Sequence, residues 1–201
     1  MTVNKFKNNR YVLVKDALNS DIVNVITNYA LFDEKQNFSG GDKQVPNAHS
    51  RYADPAMESI LLYLKPIMEE NTGLELEPTY SFYRVYRQDD ELVPHKDRES
   101  CEISCTVSFN YSYNADEYTW PIFMEGESCV LTPGDLVVYR GCELEHWRDK
   151  FHPPSSADWH VQGFFHYVDK NGPYIDWKYD KRSCVGEKKN NKKSYVIYTG
   201  I

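Results

Sequence analysis

Between residues 54 and 73 the apolar positions recur at helical spacing. Met57, Ile60, Leu61, Leu64 and Met68 fall every three to four residues and line one face of a helix. Asp54 suits its N-cap, Pro55 its first turn and Gly73 its stop, and Pro66 should kink or tighten the last turns. An earlier helix is expected after a cap at Asn19 or Ser20, with Ile22, Val25, Ile26 and Tyr29 as its apolar face. A short strand over 10–15, Arg10-Tyr11-Val12-Leu13-Val14-Lys15, precedes it. The polar stretch 33–52, with Gly40-Gly41 and Pro46, reads as a loop, either a surface excursion or a lid over a site.

From residue 78 the period changes to two. Thr79–Tyr86 is rich in β-formers, Gln88-Asp89-Asp90-Glu91 is a turn, and Leu92 to Asp97 is short and extended. Strands follow over Cys101–Tyr113 and Trp120–Met124, then the turn Glu125-Gly126-Glu127 and the short run Cys129-Val130-Leu131. Pro133-Gly134-Asp135 is a turn leading into the apolar strand Leu136–Tyr139. A loop with Pro153-Pro154-Ser155-Ser156 then leads to a last long strand, Trp159–Val168. Many short strands after two helices predict a mainly β fold, an antiparallel barrel or jelly roll with helices packed on one side. A single domain over 1–201 is expected, with helical support about 16–73, a β core about 78–169 and a C-terminal extension 170–201.

Composition supports a folded globule: 41% of residues are hydrophobic and 14% aromatic, with sixteen tyrosines. The formal charge of −7 argues against nucleic-acid binding. No apolar run reaches the ~18 residues of a membrane span. The polar N-terminus has no signal-peptide core, so a cytoplasmic location is expected. Five cysteines, Cys101, Cys105, Cys129, Cys142 and Cys184, form no CxxC pair and are expected as buried reduced thiols. The charged tail over 187–193 reads as solvated surface, with a basic docking patch as the alternative.

The chemistry concentrates at Pro94-His95-Lys96-Asp97. On a strand, residues two apart share a face, so His95 and Asp97 could meet one metal ion. His146, about fifty residues on, offers a third ligand. Two histidines and a carboxylate are the facial triad of non-haem Fe(II) oxygenases. The same donors can hold Zn²⁺, although no HExxH motif accompanies them.

The order His-x-Asp, alternating strands, Pro-Gly-Asp turn, buried strand, histidine and final strand resembles the Fe(II)/2-oxoglutarate-dependent dioxygenases, within them the prolyl 4-hydroxylase-like branch and its small phage and bacterial members. The resemblance runs from Arg10 to about Asp169. It rests on His95-Lys96-Asp97, Leu131–Leu136, Gly141–Arg148 and Gln162–Asp169. It implies a double-stranded β-helix, a cupin-like jelly roll, with Fe(II) held by His95, Asp97 and His146. It further implies 2-oxoglutarate as a small-molecule cosubstrate, O₂, and ascorbate as an optional reductant. Hydroxylation of a C–H bond, with release of succinate and CO₂, is the expected reaction. The substrate is expected to be a peptidyl, prolyl-like side chain or another small molecule.

The chain departs from the family where a basic residue should hold the far carboxylate of 2-oxoglutarate. That place falls on His160. Arg148, two residues after His146 and on the same face, is the preferred anchor, since a guanidinium pairs bidentately with a carboxylate. Tyr111 and Tyr86 sit where the family places pocket tyrosines, and Gln162, His160 and His166 share one face of the last strand. Trp120 and Trp147 are candidates for the substrate mouth, and substrate choice should sit in loops 33–52, 112–120 and 149–158. His49 and His152 carry no assignment. The rival class is a cupin-like metal-binding module without oxygenase activity, which would need no 2-oxoglutarate anchor.

Overall fold

The computed structural model describes residues 2–187. Its first element, helix α1 (Thr2–Asn9), is too short and polar to announce itself by periodicity; it buries one ring, Phe6, completely. Strand β1 (Tyr11–Val14) and helix α2 (Ser20–Asn37) follow. The Asn19 side chain accepts the Ile22 N–H and caps α2. Its buried face is Val23, Ile26, Thr27 and Ala30, rotated from the expected stripe, and Val25 is 67% exposed. The stretch 33–52 is not one loop. Helix α2 runs to Asn37, and strand β2 (His49–Tyr52) pairs with the strand that follows the next helix. Only 38–48 connects them.

Helix α3 (Pro55–Thr72) matches expectation. Asp54 accepts the N–H groups of Ala56 and Met57, and Gly73 closes the helix at φ 71°, a left-handed conformation that glycine adopts without penalty. The helix continues through Pro66. All five expected apolar residues are buried, each contributing about 1.5–3 kcal/mol.

The remaining strands are β3 (Leu76–Tyr86), β4 (Leu92–His95), β5 (Ile103–Tyr111), β6 (Ile122–Met124), β7 (Glu127–Cys129), β8 (Leu136–Arg140), β9 (His146–Arg148) and β10 (His160–Asp169). They form two antiparallel sheets, β1-β8-β5-β10-β3-β2 and β4-β9-β6-β7. From β3 onward the chain passes back and forth between the sheets, which is the winding of a double-stranded β-helix. Period-two alternation gives the large sheet two unlike faces. Tyr83, Val85, Cys105, Val107, Phe109, Val161, Phe165 and Tyr167 join α1, α2 and α3 in the main apolar core. The opposite face carries Arg84, Tyr86, Thr106, Ser108, His160, Gln162, Phe164 and His166 into the barrel. A barrel interior lined with so many polar groups marks a site, because burying them costs free energy unless each finds a partner.

The C-terminal extension is anchored as far as it is described. Buried Arg182 pairs with Glu58 of α3 at 3.1 Å and donates to the Thr79 carbonyl. The charged tail beyond Glu187 lies outside the described residues. Cys101, Cys105 and Cys129 are buried free thiols as expected, whereas Cys142 is partly buried and Cys184 is exposed.

Candidate metal centre

His95 ends β4 and His146 opens β9, and the two are cross-strand partners with ring centroids 4.3 Å apart. Asp97 lies beyond the strand end, so the shared strand face does not deliver it. Its N–H donates to the Gly141 carbonyl at 2.9 Å, and that bond turns the side chain back towards the histidines. Each imidazole Nδ1 faces a carbonyl, His95 that of Val93 at 2.8 Å and His146 that of Leu144 at 3.0 Å. Carbonyls only accept, so the proton sits on Nδ1 and both Nε2 lone pairs are left free. These nitrogens lie 3.6 and 3.7 Å from Asp97 Oδ1. Asp97 Oδ2 is buried with no hydrogen-bond partner among the described residues. Three donor atoms within 4.8 Å of one another, with an orphaned carboxylate oxygen, fit a divalent cation such as Fe(II).

The electrostatics agree. Burial would raise the Asp97 pKa, but the His95 hydrogen bond and the surrounding imidazoles hold it below the usual carboxylate value. Burial pushes His146 down and keeps it neutral. For His95, burial is outweighed by Asp97 and the Val93 carbonyl, which raise its pKa; a cation here competes with that proton.

A cavity of about 500 Å³ opens beside the triad, walled by Tyr80, Phe82, Arg84, Leu92, Phe164 and His166 and reached by Asp42–Gln44 of the 38–48 loop. Burial pushes His166 down to about 4, so it is neutral. Cys101 and His166 stand near Asp97 as a second donor group.

Deeper in the barrel lies a directional chain of hydrogen bonds. Arg148 Nη2 (3.0 Å) and His160 Nε2 (2.8 Å) both donate to Gln162 Oε1. Tyr113 Oη donates to His160 Nδ1 at 2.9 Å. Gln162 Nε2 donates to Thr106 Oγ1, which donates to the Gly163 carbonyl. His160 is thereby a neutral imidazole, and burial holds its pKa far below the ordinary value. Arg148 is 1% exposed, rests 4.5 Å over Trp120 and also donates to the Trp120 carbonyl. It has no carboxylate partner, and its Nε no partner at all, among the described residues. Burial pulls its pKa down. A buried guanidinium without a counter-charge is costly and invites an anion.

The sequence-selected residues therefore separate. His95, Asp97 and His146 converge; Arg148, Gln162, His160 and Tyr86 gather deeper in the barrel. Arg148 does not line the open cavity, but its register partner Leu92 does. Tyr111 is half-buried and stacks on Tyr113 and His160; Tyr113 makes the polar contact. Trp120 is 5% exposed and packed inside, and Trp147 stacks on Phe123 and lines a neighbouring hollow with Lys96 and Glu145, so neither lines the cavity itself. His49 lies not in a loop but on β2, fully buried and hydrogen-bonded to Asp33. Arg84 and Tyr113 were not singled out. Strand parity was the signal available for both, Arg84 with Tyr86 and Tyr113 with Tyr111, although Tyr113 itself lies just past the end of β5.

No family model and no curated protein sequence matches the chain. Solved structures do. A Pseudomonas putida prolyl-4-hydroxylase is 15% identical and superposes with a TM-score of 0.65 over 82% of this chain and 96% of that one. The non-haem α-ketoglutarate-dependent epimerase SnoN from nogalamycin biosynthesis is 11% identical, with a TM-score of 0.68 over 84% and 81%. HygX from Streptomyces hygroscopicus, with nickel and 2-oxoglutarate bound, is 11% identical, with a TM-score of 0.61 over 85% and 87%. The chain therefore has the double-stranded β-helix fold of the iron- and 2-oxoglutarate-dependent oxygenases.

Proposed function

We propose that this protein is an Fe(II)- and 2-oxoglutarate-dependent oxygenase that hydroxylates an unactivated C–H bond. The convergence of His95, Asp97 and His146, with Asp97 Oδ2 orphaned, carries the reading. These three residues would hold the metal. Arg148 would hold the far carboxylate of 2-oxoglutarate: it follows His146 by two strand residues, about 6.6 Å, a span suited to a five-carbon dicarboxylate. Gln162, itself held by His160, fixes its guanidinium in place, and Tyr86, Trp120 and Phe151 keep water from that end. When bound, iron and 2-oxoglutarate supply oxidative decarboxylation coupled to hydroxylation. The chain positions both and leaves the cavity beside the triad for the primary substrate, for which a peptidyl, prolyl-like side chain is one class. The helices of 16–73 buttress the β-helix of 78–169 as one domain.

Anaerobic addition of Fe(II) and 2-oxoglutarate tests this. The visible charge-transfer band of the chelate is expected in the wild type and absent in His146→Ala. Arg148→Met should keep metal affinity within about threefold while weakening 2-oxoglutarate about 100-fold or more, as loss of a buried charge pair costs 3–5 kcal/mol. Correctly loaded iron without the band would leave the cupin-like metal-binding module as the better reading. Activity with zinc in place of iron would favour a hydrolase.

A further inference from the structure

A second arginine faces the cavity under different conditions from Arg148. Arg84 projects inward from β3, directly opposite Gln162 of β10. It is 3% exposed and lies 4.9 Å over Phe82 and 5.4 Å over Phe164. Nη2 donates to Asp42 Oδ2 (2.5 Å) and Gln44 Oε1 (2.9 Å), and Nη1 to Tyr86 Oη at 3.4 Å. Nε is buried without a partner among the described residues. The guanidinium is thus flanked by aromatic rings, only partly satisfied, and open to the space beside the triad.

Its carboxylate partner does not belong to the barrel. Asp42 sits on the 38–48 loop with its side chain 35% exposed. Its Oδ1 accepts the N–H groups of Gln44 and Val45, so a local turn presents Oδ2 to Arg84 from the cavity mouth. The charged residues lining the cavity are Asp42, Lys43, Arg84, Lys96, Asp97 and Arg98. Arg98 is neutralised by Asp180, and Asp97 belongs to the metal centre. The rest leave an excess of positive charge, which favours an anionic occupant.

We propose that Arg84 binds a carboxylate of the primary substrate, with Asp42 holding its place until that carboxylate arrives. This rests on the oxygenase reading and adds a substrate class to it: a carboxylate-bearing molecule, whether a free acid or an acidic peptide. The cosubstrate falls to Arg148 because that guanidinium has no carboxylate of its own, whereas Arg84 has an exchangeable one.

The test uses the Fe(II)- and 2-oxoglutarate-loaded protein without oxygen and a panel of N-acetyl amino acids, each paired with its C-terminal amide, and peptides ending in Glu or Gln. Binding is read as perturbation of the chelate band. Acids are expected to bind in preference to their amides. Arg84→Gln should weaken them about 10- to 100-fold, the worth of a charge-assisted bidentate contact, with 2-oxoglutarate affinity unchanged. Asp42→Asn should tighten them, because it removes the internal competitor; Arg84→Lys, which keeps the charge, should fall between. Opposite signs for Arg84→Gln and Asp42→Asn separate substrate binding from a merely structural clip, whose two variants would behave alike. Equal affinity for acid and amide, no binding by any acid at millimolar concentration, or loss of 2-oxoglutarate itself in Arg84→Gln each overturns the proposal. If the wild type forms no chelate band, the oxygenase reading falls separately, and the same pairs read by melting temperature on the metal-loaded protein still decide Arg84.

Discussion

Gly141 has no side chain, and the proposed metal centre needs that space. A Cβ at this position would lie 2.2 Å from the Cys101 carbonyl oxygen and 2.6 Å from Asp97 Oδ2, against an ordinary contact of about 3.4 Å. The shortfalls are about 1.2 and 0.8 Å. Residue 141 cannot slide away, since its N–H donates to the Glu102 carbonyl at 3.0 Å and its carbonyl accepts the Asp97 N–H at 2.9 Å. Gly141→Ala should therefore displace the Asp97 carboxylate by several tenths of an ångström, where ligand distances tolerate about 0.2 Å. Fe(II) or Mn(II) affinity, measured by chelator competition, should drop about 100-fold. Overpacking alone should cost about 1–3 kcal/mol in urea unfolding. Gly172→Ala is the control: its Cβ would meet Asp169 Cβ at 2.8 Å, so it should lose stability without losing metal. If Gly141→Ala binds metal within about threefold of wild type, Asp97 is not held as a ligand there and the metal centre is misassigned.

Gln162→Glu should give Arg148 the carboxylate it lacks. The melting temperature of the metal-free protein should rise by about 2–4 °C while 2-oxoglutarate affinity falls at least tenfold, and a lower melting temperature with normal affinity would contradict the role given to Arg148. Asp33, on α2, accepts from Arg51, Tyr83, Asn37 and His49, which outweigh burial and hold its pKa below the usual value. Its contribution is therefore complete above the unfolded value near pH ~4 and lost as pH falls through the folded one. Asp33→Asn should cost about 2–4 kcal/mol at neutral pH and flatten the acid limb of the stability profile, and an unchanged limb would count against the network.

How much of this was legible depends on how local each signal was. Helix α3 was readable because its cap, first-turn proline, apolar spacing and terminal glycine all lie within twenty residues of one another. The rotation of α2 was not: Val25 and Val23 are equally apolar, and only docking on the large sheet decides which is buried. Residues 33–37 and 49–52 looked like loop because they are polar, but Asp33, His49, Arg51 and Tyr83 satisfy one another only once α2, β2 and β3 are assembled.

The same division runs through the site. Residue order alone carries the donor types, the two-residue spacing of His95 and Asp97, and a distal histidine followed by an arginine at the same strand parity. Tertiary structure decided that β4 ends at His95, so that Asp97 is aimed by Gly141, forty-four residues away. It also decided which arginine has a counter-charge, since Asp42 reaches Arg84 and no carboxylate among the described residues reaches Arg148. Local chemistry is written in residue order. Charge balance and close approach are set by which groups the folded chain brings within a few ångströms.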